Sequence, residues 1–185
     1  MLNLKLSAVI GNKFIAKRGA SEREREVATL TDEVTTEYFE GTRFIGLLFS
    51  AEWAAPCKTM LKLLRNFYSD INLDERLFEI ILVPADLKKE QKLEHFSTMP
   101  WTSLPFGDAR IQQFMKRYEV TGVPKLIIID SKTGFMITDT ARKDLKLAQQ
   151  EDVGVKGVWK SWLKLHDINK VKGVKRAQED AIAAT

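Results

Sequence analysis

Phe44-Ile45-Gly46-Leu47-Leu48-Phe49-Ser50-Ala51-Glu52-Trp53-Ala54-Ala55-Pro56-Cys57-Lys58 decides the fold of this 185-residue chain. The run from Phe44 to Phe49 is apolar without alternation, which is the pattern of a strand covered on both faces. Beyond it the period changes. Cys57, Met60, Leu61, Leu64, Phe67, Tyr68 and Ile71 recur at spacings of three and four, so they share one face of a helix. Pro56 suits the first turn of that helix, where its missing N–H costs nothing. A strand that turns straight into a helix exposes backbone N–H groups and the positive end of the helix dipole. A thiol held in such a turn is acidified.

Working outward, Phe78–Val83 and Leu126–Ile129 are two more short apolar runs with the character of central strands. The first of them follows the helix, so it is expected parallel to Phe44–Phe49. Lys125–Ile129 and Phe135–Thr138 flank Asp130-Ser131-Lys132-Thr133-Gly134, a hairpin turn, so the sheet is mixed. Ile111, Phe114, Met115 and Tyr118 predict a helix before Gly122, and Leu87–Phe96 a weaker one. Lys13–Ala16 is expected to add a strand. Thr31 is expected to cap a short helix over Asp32–Phe39 that Gly41 stops. Val155, Val158, Trp159, Trp162, Leu163 and His166 form a last helical stripe, sealed by the two tryptophans. One α/β domain over residues 1–165 is therefore expected, followed by a basic C-terminal tail over 166–185 whose end, Ala177–Thr185, is frayed or partner-bound.

Cys57 is the one cysteine, which excludes an internal disulfide, a cysteine-rich zinc site and a two-cysteine redox pair. No cofactor or metal is expected. His95 and His166 do not have ligand spacing, and are expected as a solvent-facing helix residue and a helix-end residue. The apolar run of Met1–Ile10 is broken by Asn3 and Lys5, a poor secretory signal. No stretch approaches the ~20 apolar residues of a membrane span. A cytoplasmic protein is the expectation. The net charge of +4 is uneven: between Gly154 and Arg176 seven basic residues meet one acid, Asp167, giving +6 there and −2 elsewhere. Such a run suits an acidic protein, RNA or a membrane surface, and its plainer reading is a solvated extension. It lacks the interleaved aromatics of a base-stacking platform, so nucleic acid is not favoured.

The ordered motifs resemble the thioredoxin fold in its nucleoredoxin and tryparedoxin branch. That branch ends a strand in Phe-Ser-Ala-x-Trp and follows it with Cys-x-Pro-Cys and a helix. Here the chain has Phe49-Ser50-Ala51-Glu52-Trp53 and then Ala54-Ala55-Pro56-Cys57. Met99-Pro100-Trp101-Thr102-Ser103-Leu104-Pro105-Phe106 is similar to the branch's Met-Pro-Trp-x-x-x-Pro-Phe. Tyr118-Glu119-Val120-Thr121-Gly122-Val123-Pro124 resembles the loop whose proline is cis and faces the active site. The resemblance covers about residues 10–165 and implies a thioredoxin fold, protein-disulfide reductase ancestry, and a peptide-binding surface at Trp53, Pro56, Trp101, Val123 and Pro124. Asp86 resembles an acidic position in a family loop.

The departure carries as much as the match. The family's attacking cysteine falls on Ala54, and Cys57 matches the resolving cysteine. Dithiol exchange needs a thiolate to attack and a second thiol to resolve the mixed disulfide. As written, the chain lacks the first. A family proline several residues beyond the second cysteine is also missing, since Met60-Leu61-Lys62 contains none. Two readings stay open: a redox-silent protein-binding module or structural subunit, of which a cytoskeletal or axonemal role is one form, and an active reductase silenced by an engineered Cys-to-Ala change. Trapping variants replace the resolving cysteine, so alanine at the attacking position favours the first.

Overall fold

The computed structural model describes residues 6–17, 31–150 and 152–183, with side chains described as far as Lys170. Strand β3 (Phe44–Ser50) lies centrally and every residue of it is buried. Helix α2 (Ala55–Ile71) leaves its end, and β4 (Phe78–Pro84) returns parallel to it. On the other side β6 (Lys125–Asp130) pairs antiparallel and continues into β7 (Met136–Thr138), closing the expected hairpin. The non-alternating runs of the sequence are thus the three strands covered on both faces.

Beyond β4 lie three shorter strands. β5 (Thr102–Ser103) runs parallel to β4, β1 (Phe14–Lys17) antiparallel to β5, and β2 (Thr31–Val34) antiparallel to β1 at the edge. The sheet order is β2-β1-β5-β4-β3-β6-β7. One face is covered by α2, α5 (Ala141–Leu147) and α6 (Gly154–Ala183), whose Met60, Leu64, Leu145, Trp159 and Trp162 pack onto Phe44, Phe78 and Leu126. The opposite face is covered by α1 (Leu6–Ile10) and α4 (Arg110–Arg117), through Ile10 and Phe114, with Val120 from the connection after α4. Helix α3 (Lys89–Ser97) links β4 to β5 and sends Phe96 into the first of these cores.

Gly46 explains how the two sides of β3 close so tightly. A Cβ there would sit 3.0 Å from Phe78 Cζ and 3.1 Å from Leu126 Cδ1. Gly134 ends the hairpin turn at φ +70°, and a Cβ would meet Val9 at 2.6 Å. Only glycine combines that backbone with that contact.

Three expectations are corrected. Thr31–Val34 is a strand and not the start of a helix. It gains a ladder with β1, and only Thr36–Phe39 winds into a 3-10 turn. That turn is held at its start by Asn12 Oδ1, which accepts from the Thr36 N–H at 2.8 Å and from its hydroxyl at 2.6 Å. His95 is buried and not solvent-facing. His166 is not at a helix end, because α6 continues through Ala183. Its ring lies between Arg43 (2.8 Å) and Asp130 (3.2 Å). The helical backbone therefore crosses residue 165 without a break. The side chains of the terminal segment, including Lys172, Lys175 and Arg176, lie outside the described residues, as do Met1–Lys5. Among the described residues no helix is long and apolar enough to cross a membrane.

Candidate functional site

The site is built where β3 ends. Ala54 is the N-cap of α2, with extended backbone (φ −93°, ψ 104°) and no side chain able to cap. Ala54 O accepts from Cys57 N at 2.9 Å, closing the first turn. Ala54 is buried at its methyl, and Cys57 is fully buried on the inner face of α2. Pro56 is exposed between them. The thiol of Cys57 thus points into the core, and position 54 at the head of the turn carries a methyl group.

Around that turn stand the other expected residues. Trp53 is 57% exposed, its indole N–H reaching Ala85 O at 3.4 Å. The Val123–Pro124 bond is cis. β3 and β6 pair Phe49 with Lys125, and continuing that register sets Pro124 beside Ser50 and Val123 beside the turn. Val123 is half-buried and Pro124 is buried. Trp53, Pro56 and Val123 are therefore apolar side chains available at this lip. Trp101 is not: its side chain is 1% exposed and stacks edge-on against Tyr68 at 5.5 Å, inside the core. Its bulk is used to close the α2–β5 space.

Beneath the lip is a polar cluster that the sequence did not disclose. Asp86, just past β4, accepts from Glu52 N at 2.7 Å and so ties the β4–α3 connection to the turn. Ser50 Oγ and His95 Nε2 share a 2.7 Å hydrogen bond, with both side chains buried. Lys92, one turn before His95, is also buried, its ammonium 4.5 Å from the centre of the Phe96 ring. Burial holds the His95 imidazole below its ordinary range, against the pull of Asp86. Burial also raises the Asp86 carboxyl, partly offset by the Glu52 N–H. It pushes the Lys92 ammonium down to about 8, with Asp86 opposing. On the surface, Glu52 and Lys58 pair at 2.6 Å, and the hydrogen bond from Lys58 holds the Glu52 carboxyl low. The signal for the buried cluster was the weakness of the α3 stripe. Its inward positions are Lys92, His95 and Phe96, so two of the three are polar.

Lys92 makes a pH prediction. Its ammonium is harder to keep charged in the folded chain than in the unfolded one. The penalty is therefore complete below about pH 8, shrinks as pH rises, and vanishes above the unfolded value near 10.5. Lys92→Met is expected to stabilise the chain by about 1–3 kcal/mol at neutral pH, with the gain fading towards pH 10. Urea unfolding at both pH values checks it. A loss of stability at neutral pH would mean that the Lys92–Asp86 attraction outweighs desolvation.

The chain resembles known proteins in sequence and in fold. The family model described as Thioredoxin-like matches residues 41–136. The chain is 38% identical over 103 residues to nucleoredoxin of Xenopus laevis, covering 55% of this chain and 25% of that protein. It is 32% identical over 97 residues to tryparedoxin of Trypanosoma brucei brucei, covering 52% of this chain and 67% of that one. The solved tryparedoxin from Trypanosoma brucei superposes with a TM-score of 0.62 at 26% identity, over 74% of this chain and 85% of that one. The chain spans about a quarter of the length of the nucleoredoxins it matches.

Proposed function

The chain belongs to the thioredoxin-like family, and from that premise we propose that it is a redox-silent protein-binding module. One observation carries the reading. The position from which the family attacks a disulfide is alanine, and the remaining thiol, Cys57, is fully buried. A thiol–disulfide exchange begins with an accessible thiolate, and neither residue supplies one. What the turn still offers is an apolar, partly exposed lip at Trp53 and Val123, beside the backbone of Pro124. Such a surface suits an extended peptide, with tryptophan as its anchor. The partner is accordingly a polypeptide, held without covalent chemistry.

Peptides selected for binding to the full chain test the lip. Trp53→Ala is expected to weaken them about tenfold or more, as loss of an interface anchor does. Leu73, 81% exposed just past the other end of α2, is the control, and Leu73→Ala is expected to leave affinity unchanged. Equal effects of the two changes, or no effect of Trp53→Ala, would overturn the assignment. The rival reading, a reductase silenced by an engineered alanine, is separated by codon 54 of the source gene. A cysteine codon there would sink the proposal.

A further inference from the structure

We propose that the outer face of the α5–α6 pair is a docking surface for an acidic, carboxylate-rich polypeptide segment. The sequence placed the positive charge in a tail. The fold instead gathers much of it on two packed helices of one layer. Arg142, Lys143 and Lys146 on α5 and Lys156, Lys160 and Lys164 on α6 are all exposed. Among the described residues none of the six forms an ion pair. Of the acids described on the two helices, Asp144 accepts from the Trp162 indole N–H at 2.9 Å and Asp167 lies 3.2 Å from the His166 ring. With Asp152, exposed in the connection between the helices, the described acids number three against these six cations.

Folding does not account for this arrangement. Lys156, Lys160 and Lys164 stand four residues apart, opposite the buried Trp162, in a row of about 12 Å. Like charges at that spacing repel and weaken a helix. The row therefore costs stability on its own, and a partner that brings opposite charge removes the cost.

The chemistry of the face selects among anionic partners. Five of the six cations are lysines, point charges on flexible stems that suit mobile carboxylates, where a phosphate-reading surface favours the arginine fork. The aromatic residues of α6, Trp159 and Trp162, are buried, so nothing on the face can stack on a base. Of the exposed apolar residues described on these helices, Leu147, Leu165 and Ile168, only Ile168 continues the lysine row, and one such residue does not make the stripe that membrane insertion requires. This surface does not depend on the lip at Trp53, so either assignment can fail alone.

The test measures binding of a labelled oligoglutamate to the full chain at several salt concentrations. Two triple variants of equal charge change are compared with it. One is Lys156→Glu with Lys160→Glu and Lys164→Glu. The other is Lys89→Glu with Lys116→Glu and Lys132→Glu, all exposed and all off the face. Circular dichroism establishes that both are folded. The first variant is expected to lose about tenfold or more in affinity and most of the salt dependence, and the second markedly less. Equal losses in the two would show that net charge alone is read, and would overturn the proposal. So would tighter binding of duplex DNA, or of vesicles rich in phosphatidylserine, than of oligoglutamate through the same lysines.

Discussion

Ala54→Cys is expected to turn an inert chain into a disulfide reductase. The starting chain should reduce insulin disulfides at the background rate of the dithiothreitol that drives the assay, because Cys57 is fully buried and no thiol stands at the turn. A cysteine at position 54 would sit at the N-cap of α2, where unpaired N–H groups and the helix dipole favour the thiolate. The hydrogen bond from Cys57 N to Ala54 O makes the two residues the ends of a single turn. That is close enough for a disulfide between them. Both halves of the exchange then exist, attack from position 54 and resolution by Cys57. Removing a nucleophile costs a hydrolase on the order of a millionfold, so recovery of about a hundredfold over background is a modest demand. Formation of a 54–57 disulfide, seen as a mass loss of two hydrogens and a loss of alkylation, is the independent readout. If the disulfide forms but turnover does not rise, the turn has lost more than its thiol, and a silenced reductase is no longer a viable reading. Measurable reduction by the starting chain would overturn the redox-silent proposal.

Trp162→Ala is the substitution expected to cost the most stability. The side chain is fully buried between α6 and the sheet. Its rings lie 5.1 Å from Phe67, 5.7 Å from Phe78 and 6.0 Å from Trp159, and its N–H is used by Asp144 on α5. Truncation removes the wedge that joins α2, α5 and α6 and leaves the Asp144 carboxylate without that donor. Large-to-small changes of a buried tryptophan cost about 3–5 kcal/mol. That is a large share of the stability of an ordinary domain. Trp162→Phe should cost clearly less, because it keeps most of the ring contacts and loses only the hydrogen bond and part of the volume. Urea midpoints give the comparison. Similar losses for the two would place the energy in the Asp144 bond, and no loss for Trp162→Ala would mean that α6 is not fastened to the sheet by this residue. The oligoglutamate affinity should fall along with the midpoint, because the lysine row is held by the same helix.

The central strands, α2 and the hairpin were legible because their information is local. Apolar runs without alternation, spacings of three and four, and a turn of Asp, Ser and Gly each fix an element within a few residues. Alanine at the head of the turn was legible for the same reason, as a matter of which residue stands at position 54. Thr31–Val34 was not legible. Its alternation is slight, and it becomes a strand only because β1 offers a ladder. α5, with seven residues, was too short to show a period.

By itself the sequence determined the α/β order, the strand-to-helix turn, the alanine at position 54 and the proline loop at Val123–Pro124. Only the tertiary structure decided where the polar and aromatic side chains went. It put Trp101 inside while leaving Trp53 on the lip. It brought His95 to Ser50 across 45 residues, buried Lys92 under the same turn, and left the cations of α5 and α6 exposed on helices of one layer. The physical reason is that periodicity reports which residues share a face of their own element. Which neighbour that face meets, and whether a polar group there finds a partner or only desolvation, is set by strands and helices far away in the chain.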